Sequence, residues 1–144
     1  KLSILGAEAL REALRKLREG TLDETPQDAA LATYAPMLKK EHGRIDWSRP
    51  AGEVRNLVSG MTPWPSAFAL HAVKTLKVFS SAVSGEFGAA GEPGEVVALG
   101  RDGIAVACGE GVLRLQVVQP EGGKAMDAWA YAQGRHVATG ERLS

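Results

Sequence analysis

The pattern of apolar and polar positions along this chain changes character several times. Over residues 3–19, Ala7, Leu10, Leu14 and Leu17 return at helical spacing within a stretch rich in Ala, Leu, Glu and Arg. That pattern predicts an amphipathic helix, with Gly20 as its C-terminal stop. Residues 21–43 sustain no period, and Pro26 and Pro36 interrupt scattered polar positions, so this stretch reads as an extended connector. Helical spacing resumes at Val54, Leu57, Val58 and Met61, with Ser48 as the expected N-cap and Pro50 in the first turn. Five β-rich runs follow, at residues 66–72, 76–83, 94–100, 103–109 and 111–120. Their short spacing and glycine turns predict a small open barrel in preference to a sandwich. A last short helix is expected after Asp127 as cap, with Met126 and Tyr131 at the two staple positions and Gly134 as the stop.

Between the second helix and the first strand lies Pro63-Trp64-Pro65. Each proline pushes the residue before it out of the helical region, so the helix is expected to end there with Thr62 and Trp64 extended. Trp64 on such a stiff corner is expected to plug the core rather than to touch a ligand.

Length and composition limit the possibilities. The 144 residues suit one domain with an appendage, and no stretch is long and apolar enough to cross a bilayer. Cys108 is the only cysteine, so no intrachain disulfide exists, and a free thiol suits the cytoplasm. Lys plus Arg and Asp plus Glu both number 17, and the balance also holds on each side of Trp47. A basic excess, the usual footprint of a nucleic-acid module, is missing from the sum.

Chemistry-bearing motifs are sparse. His42, His71 and His136 are isolated, with neither helical pairing nor a Cys/His cluster, so no metal is expected. His71 reads as an alternating strand residue and Cys108 as a buried strand thiol. Residues 85–94, GEFGAAGEPG, join strands and lack both the dinucleotide fingerprint and a Walker lysine, so they read as a turn. Asp46 and Trp47 read as capping and packing residues before the second helix.

Specific strings carry the reading further. Thr33-Tyr34-Ala35-Pro36, Ile45-Asp46-Trp47, the Pro63-Trp64-Pro65 corner, residues 107–126 (ACGEGVLRLQVVQPEGGKAM) and residues 140–143 (GERL) together resemble the C-terminal domain of methionyl-tRNA formyltransferases. The resemblance implies three parts: residues 1–20 as the terminal helix of a preceding catalytic domain, 21–43 as an extended linker, and 44–144 as a mainly β, open barrel similar to an OB fold. It further implies a protein of translation initiation that moves a formyl group from 10-formyltetrahydrofolate to initiator methionyl-tRNA. Because the catalytic domain is absent from this sequence, no catalytic residue and no cofactor are assigned here, and this chain alone is expected to be inactive. RNA-binding candidates are Lys39, Lys40, Arg44 and Lys124 in segments matching the family, with Lys74, Lys77 and Arg114 chosen for charge alone. The expected partners are initiator tRNA and the catalytic domain of the same enzyme, with no membrane. The stripe of the first helix, lacking its cover, is expected to dock, self-associate or fray. Two other classes stay open: the corresponding domain of another formyl-folate enzyme, such as a nucleotide-sugar formyltransferase, and a non-catalytic protein-interaction module.

Overall fold

The first helical period becomes α1 (Leu2–Glu19) in the computed structural model, which describes residues 1–85 and 91–144. Gly20 adopts a left-handed conformation (φ 67°), and the amides of Gly20 and Thr21 close the last turn onto the carbonyls of Leu17 and Lys16. Along the helix, Arg15 lies between Glu12 (2.8 Å) and Glu19 (2.6 Å), a local support available on the surface of a helix. The stripe is exposed: Leu10 by 61%, Leu14 by 57% and Leu17 by 62%. Beyond it the chain is extended apart from one 3₁₀ turn, Ala29–Leu31, capped by the Asp28 carboxylate. These elements belong to one compact unit, Lys1–Pro36, and everything below belongs to a second, Met37–Ser144.

A 3₁₀ turn, Lys40–Gly43, leads into the second unit and is followed by α2 (Ala51–Met61). The expected cap Ser48 does not start α2. Its amide and hydroxyl are both donated to the Asp46 carboxylate, at 3.0 and 2.6 Å, and the helix begins after Pro50. The Ala51 amide is instead met by the Glu110 carbonyl, so a tertiary contact replaces the local cap.

All five predicted runs are strands: β1 (Ala67–His71), β2 (Lys74–Ser84), β3 (Val96–Gly100), β4 (Gly103–Ala107) and β5 (Val112–Pro120). A two-residue strand, β6 (Met126–Asp127), precedes α3 (Ala128–Arg135). The sheet is antiparallel with order β1-β2-β5-β4-β3, and β6 lies against the second half of β5, beyond the reach of β4. Alternation drives this arrangement. Ala67, Ala69, Leu76, Val78, Leu113, Leu115 and Val118 turn inward against Val54 and Val58 of α2 and against Ala128, Tyr131 and Ala132 of α3. Of the turn expected over 85–94, residues 86–90 lie outside the described residues.

Asp127 caps α3, accepting the Ala130 amide at 3.1 Å, whereas Met126 remains 38% exposed. Gly134 does not stop the helix; His136, in the left-handed region, does. The reason is Val137, whose buried side chain and amide bond to Ala132 fix the end two residues past the helix.

No strand pairing joins β1 to β3, so the sheet is an open barrel, and residues 140–144 run between the two edges. Leu70 and Ser144 exchange both backbone hydrogen bonds. On the other side, Val96 pairs with Glu141 and Gly140, and Leu143 donates to Gly94. Leu143 is buried beside Trp47 near Gly94, which stands at φ 88° with the Leu143 carbonyl and the Trp47 ring where a side chain would be. Gly94→Ala is therefore expected to destabilise the fold by roughly 1–3 kcal/mol. Gly122→Ala, also at positive φ (72°) but with open space around it, is expected to cost less. Urea midpoints of the two variants check this, and equal losses would show that the approach of Leu143 does not constrain position 94.

Candidate functional site

The corner after α2 is built from backbone chemistry. The Thr62 hydroxyl closes the helix onto the Val58 carbonyl (2.8 Å), and Thr62 itself is extended, as expected before a proline. Both prolines of the corner follow cis peptide bonds. Ser66, buried and left-handed (φ 74°), donates its amide to the Met61 carbonyl at 2.9 Å and its hydroxyl to the Pro63 carbonyl at 2.7 Å.

This geometry corrects the expectation for Trp64. Pro65 and Ser66 occupy the buried side of the corner, and the indole of Trp64 is 58% exposed. The tryptophan that plugs the core is Trp47, which follows inward Ile45 and outward Asp46.

Beside the corner, strand register gathers several candidates. Arg44 bridges to Phe68, Phe68 pairs with Lys77 across β1 and β2, and Lys77 pairs with Gln119 of β5. Directly opposed residues share one face of a sheet, so these four form a row on the face away from Ala67, Ala69, Leu76 and Val78. Lys40, Trp64, Pro65, Phe68, Thr75 and Lys77 line a hollow of about 290 Å³ with no carboxylate among them. The Gln119 side chain donates to the Gly123 carbonyl at 2.7 Å and so holds the loop carrying Lys124 against the end of the row.

The remaining candidates lie elsewhere. Lys39 is exposed next to Lys40, its amide donated to His42 Nδ1. Lys74 lines another hollow, with His71, Tyr131, Glu121 and Arg135. Arg114 is bound by Asp102 at 2.6 Å, and its side chain is only 11% exposed. The structure therefore brings Lys40, Arg44, Lys77 and Lys124 into one neighbourhood and leaves Lys74 and Arg114 outside it. Among the described residues none of those four forms an ion pair. Sequence reasoning missed Phe68 and Thr75. The signal for Phe68 was present, because it alternates with the small residues Ala67 and Ala69.

A second cluster also escaped the sequence. His71 Nδ1 lies 2.7 Å from the Tyr131 hydroxyl and Nε2 lies 2.9 Å from the Glu141 carboxylate, across separations of 60 and 70 residues that no local pattern reveals. The hydrogen bond from His71 holds the Glu141 carboxyl below its ordinary value, while burial raises the Tyr131 hydroxyl above its own. Cys108 is buried as expected, and burial pushes its thiol up to about 11.

The family model for the formyl transferase C-terminal domain matches residues 37–136. The chain belongs to that family. Among curated relatives, the methionyl-tRNA formyltransferase of Geobacter metallireducens is 46% identical over 143 residues, which is 99% of this chain and 45% of that protein. That of Citrifermentans bemidjiense is 47% identical over 143 residues, 99% of this chain and 44% of that protein. The chain thus spans less than half the length of these relatives and is similar to their C-terminal part. Among solved structures, HypX from Aquifex aeolicus in complex with tetrahydrofolic acid superposes with a TM-score of 0.64 at 20% identity, covering 93% of this chain and 24% of that one. That likeness is one of fold.

Two measurements probe these environments. The Cys108 thiol is expected to react with iodoacetamide at pH 8 about 100-fold more slowly in the folded protein than in urea, because little thiolate forms at its raised value. For Glu141 the folded carboxyl is depressed, so its stabilising contribution is present above the ordinary value of 4.5 and is lost as pH falls through the lower folded value. Glu141→Gln is therefore expected to lower Tm at pH 6 and to bring the two proteins together toward pH 3. A constant Tm gap across that range would remove the His71–Glu141 hydrogen bond from the account.

Proposed function

We propose that this chain is the tRNA-binding C-terminal part of a methionyl-tRNA formyltransferase, a cytoplasmic enzyme of translation initiation. On this reading, the segment of the relatives that this chain does not span carries the catalytic domain. It takes the formyl group from 10-formyltetrahydrofolate and places it on the amino group of the methionine carried by initiator tRNA. The exposed stripe of α1 is the surface that the catalytic domain covers, and without it the stripe favours self-association.

The observation that carries the reading is the row Arg44, Phe68, Lys77 and Gln119, with Lys40 at one side and the Lys124 loop at its end. Cations gathered on and beside one sheet face, with no ion-pair partner among the described residues, create a local positive field that zero net charge does not cancel. Phosphates answer that field, and their contacts set position rather than read sequence. Lys39 extends the same neighbourhood, whereas Lys74 and Arg114 contribute at most at its margins.

The chain alone is expected to show no formyl transfer to charged initiator tRNA when formyl-folate is supplied. Roughly three or four phosphate contacts predict a slope near minus three in log affinity against log salt, with little preference for initiator over elongator tRNA. A Lys39→Ala, Lys40→Ala, Lys124→Ala variant is expected to bind more weakly with a slope flattened by about two, and identical titrations would withdraw these lysines. Light scattering on Leu10→Glu, Leu14→Glu decides whether any self-association runs through α1.

A further inference from the structure

Among the described residues of the second unit, Trp64 is the largest aromatic surface left open, and its surroundings differ from those of an idle surface residue. The corner is stiffened by Pro63 and Pro65 and tied by both hydrogen bonds of Ser66, so the indole is presented on a backbone with little freedom left to lose. The adjoining hollow of about 290 Å³ is lined by two aromatic residues, Trp64 and Phe68, by Pro65 and Thr75, and by two lysines, Lys40 and Lys77. Glu121 stands just outside it, its carboxylate accepting the Thr75 amide at 3.0 Å, which favours an anion on the lysine side.

We propose that this hollow binds one unpaired nucleotide of the RNA, with the base stacked on Trp64 and the phosphate held between Lys40 and Lys77. The inference rests on the tRNA-binding reading and deepens it, because it assigns a base contact where the cationic row offers only phosphate contacts. The volume lies at the lower end of small-molecule sites, which run from about 300 Å³ upward, and suits a single nucleotide. Aromatic platforms beside cations bind splayed bases and tolerate any sequence, since every base has a flat face. A base held inside a helical stem has no free face, so the occupant is a loop or single-stranded end. An apolar peptide would use Trp64 and Phe68 but would leave both lysines unanswered.

The test uses the full chain in two assays. Titrating a short single-stranded ribonucleotide should quench tryptophan emission saturably in the parent, and Trp64→Phe, which leaves Trp47 and Trp129 in place, should lose most of that signal. An RNA duplex at equal phosphate concentration should quench weakly. In tRNA binding, Trp64→Ala should lower affinity about 10-fold with an unchanged salt slope, whereas Lys40→Ala, Lys77→Ala should flatten the slope. Because Trp64 is largely exposed, an unchanged Tm is expected, and Trp64→Phe serves as the substitute should Trp64→Ala unfold. Quenching that is equal for strand and duplex, or tRNA affinity unmoved by Trp64→Ala, overturns the nucleotide pocket. The tRNA reading would then survive on the lysine variant of residues 39, 40 and 124. Failure of the parent chain to bind any tRNA overturns the reading itself, while saturable quenching by the single strand would still establish the pocket.

Discussion

The second unit depends on a junction that is not a strand pairing. An open sheet leaves two rows of unpaired backbone groups, and each such group, once buried, costs about as much as a lost hydrogen bond. Here residues 140–144 answer part of each row, through Leu70 on β1 and through Val96 of β3 and Gly94 just before it, while Ile45 meets Phe68 on β1, and Leu143 is buried in the core between them. His71 reinforces the same seam by bonding Glu141 while its other nitrogen meets Tyr131 of α3. The hairpin of β1 and β2 is therefore fixed at its open edge. That hairpin carries Phe68, Thr75 and Lys77, so the proposed RNA face inherits its rigidity from a seam lying across the sheet.

Charge follows a similar logic of local compensation. Arg15 is matched by Glu12 and Glu19, Arg49 by Glu53 and Arg114 by Asp102. Asp46, the acid nearest Arg44 in the chain, spends its carboxylate on the amide and hydroxyl of Ser48, bonds that also hold it ionised below its ordinary range. Among the described residues, Lys40, Arg44, Lys77 and Lys124 form no such pair. A formal sum of zero is silent on this clustering, because it weighs matched and unmatched charges alike.

Much of the fold was legible locally: α1 with its Gly20 cap follows from spacing and a single residue, and strands such as Gly103–Ala107, buried at every position, follow from short apolar runs between turn residues. The failures share a cause. Ser48, Gly134 and Trp64 were each assigned from local pattern, and each was decided by packing that the pattern does not show: the Glu110 carbonyl at the start of α2, the burial of Val137 after α3, and the burial of Pro65 and Ser66 in place of Trp64. The site was legible only in part for the same reason. Basic residues can be read from a sequence, but which of them lack an acidic partner depends on pairs such as Arg114 and Asp102, set by strand register rather than by spacing.

Two of the exposed apolar features, the stripe of α1 and Trp64, differ in what they imply. The stripe of α1 is long and periodic, with Leu10, Leu14 and Leu17 each more than half exposed, and a helix of that kind draws its lasting stability from an apolar face opposite it. On the proposed reading, its cover is a surface of the catalytic domain. Trp64 is single, carries no periodic neighbours, and sits among cations and hydroxyls that would gain nothing from an oily partner. A flat ring in a positive setting suits a flat, anionic ligand, because stacking uses the ring and Coulomb attraction uses the lysines, and neither contact requires the other to be given up. The proposed protein-facing stripe and the proposed RNA-facing hollow are thus distinguished by periodicity and by the charge of the rim rather than by the amount of apolar area exposed.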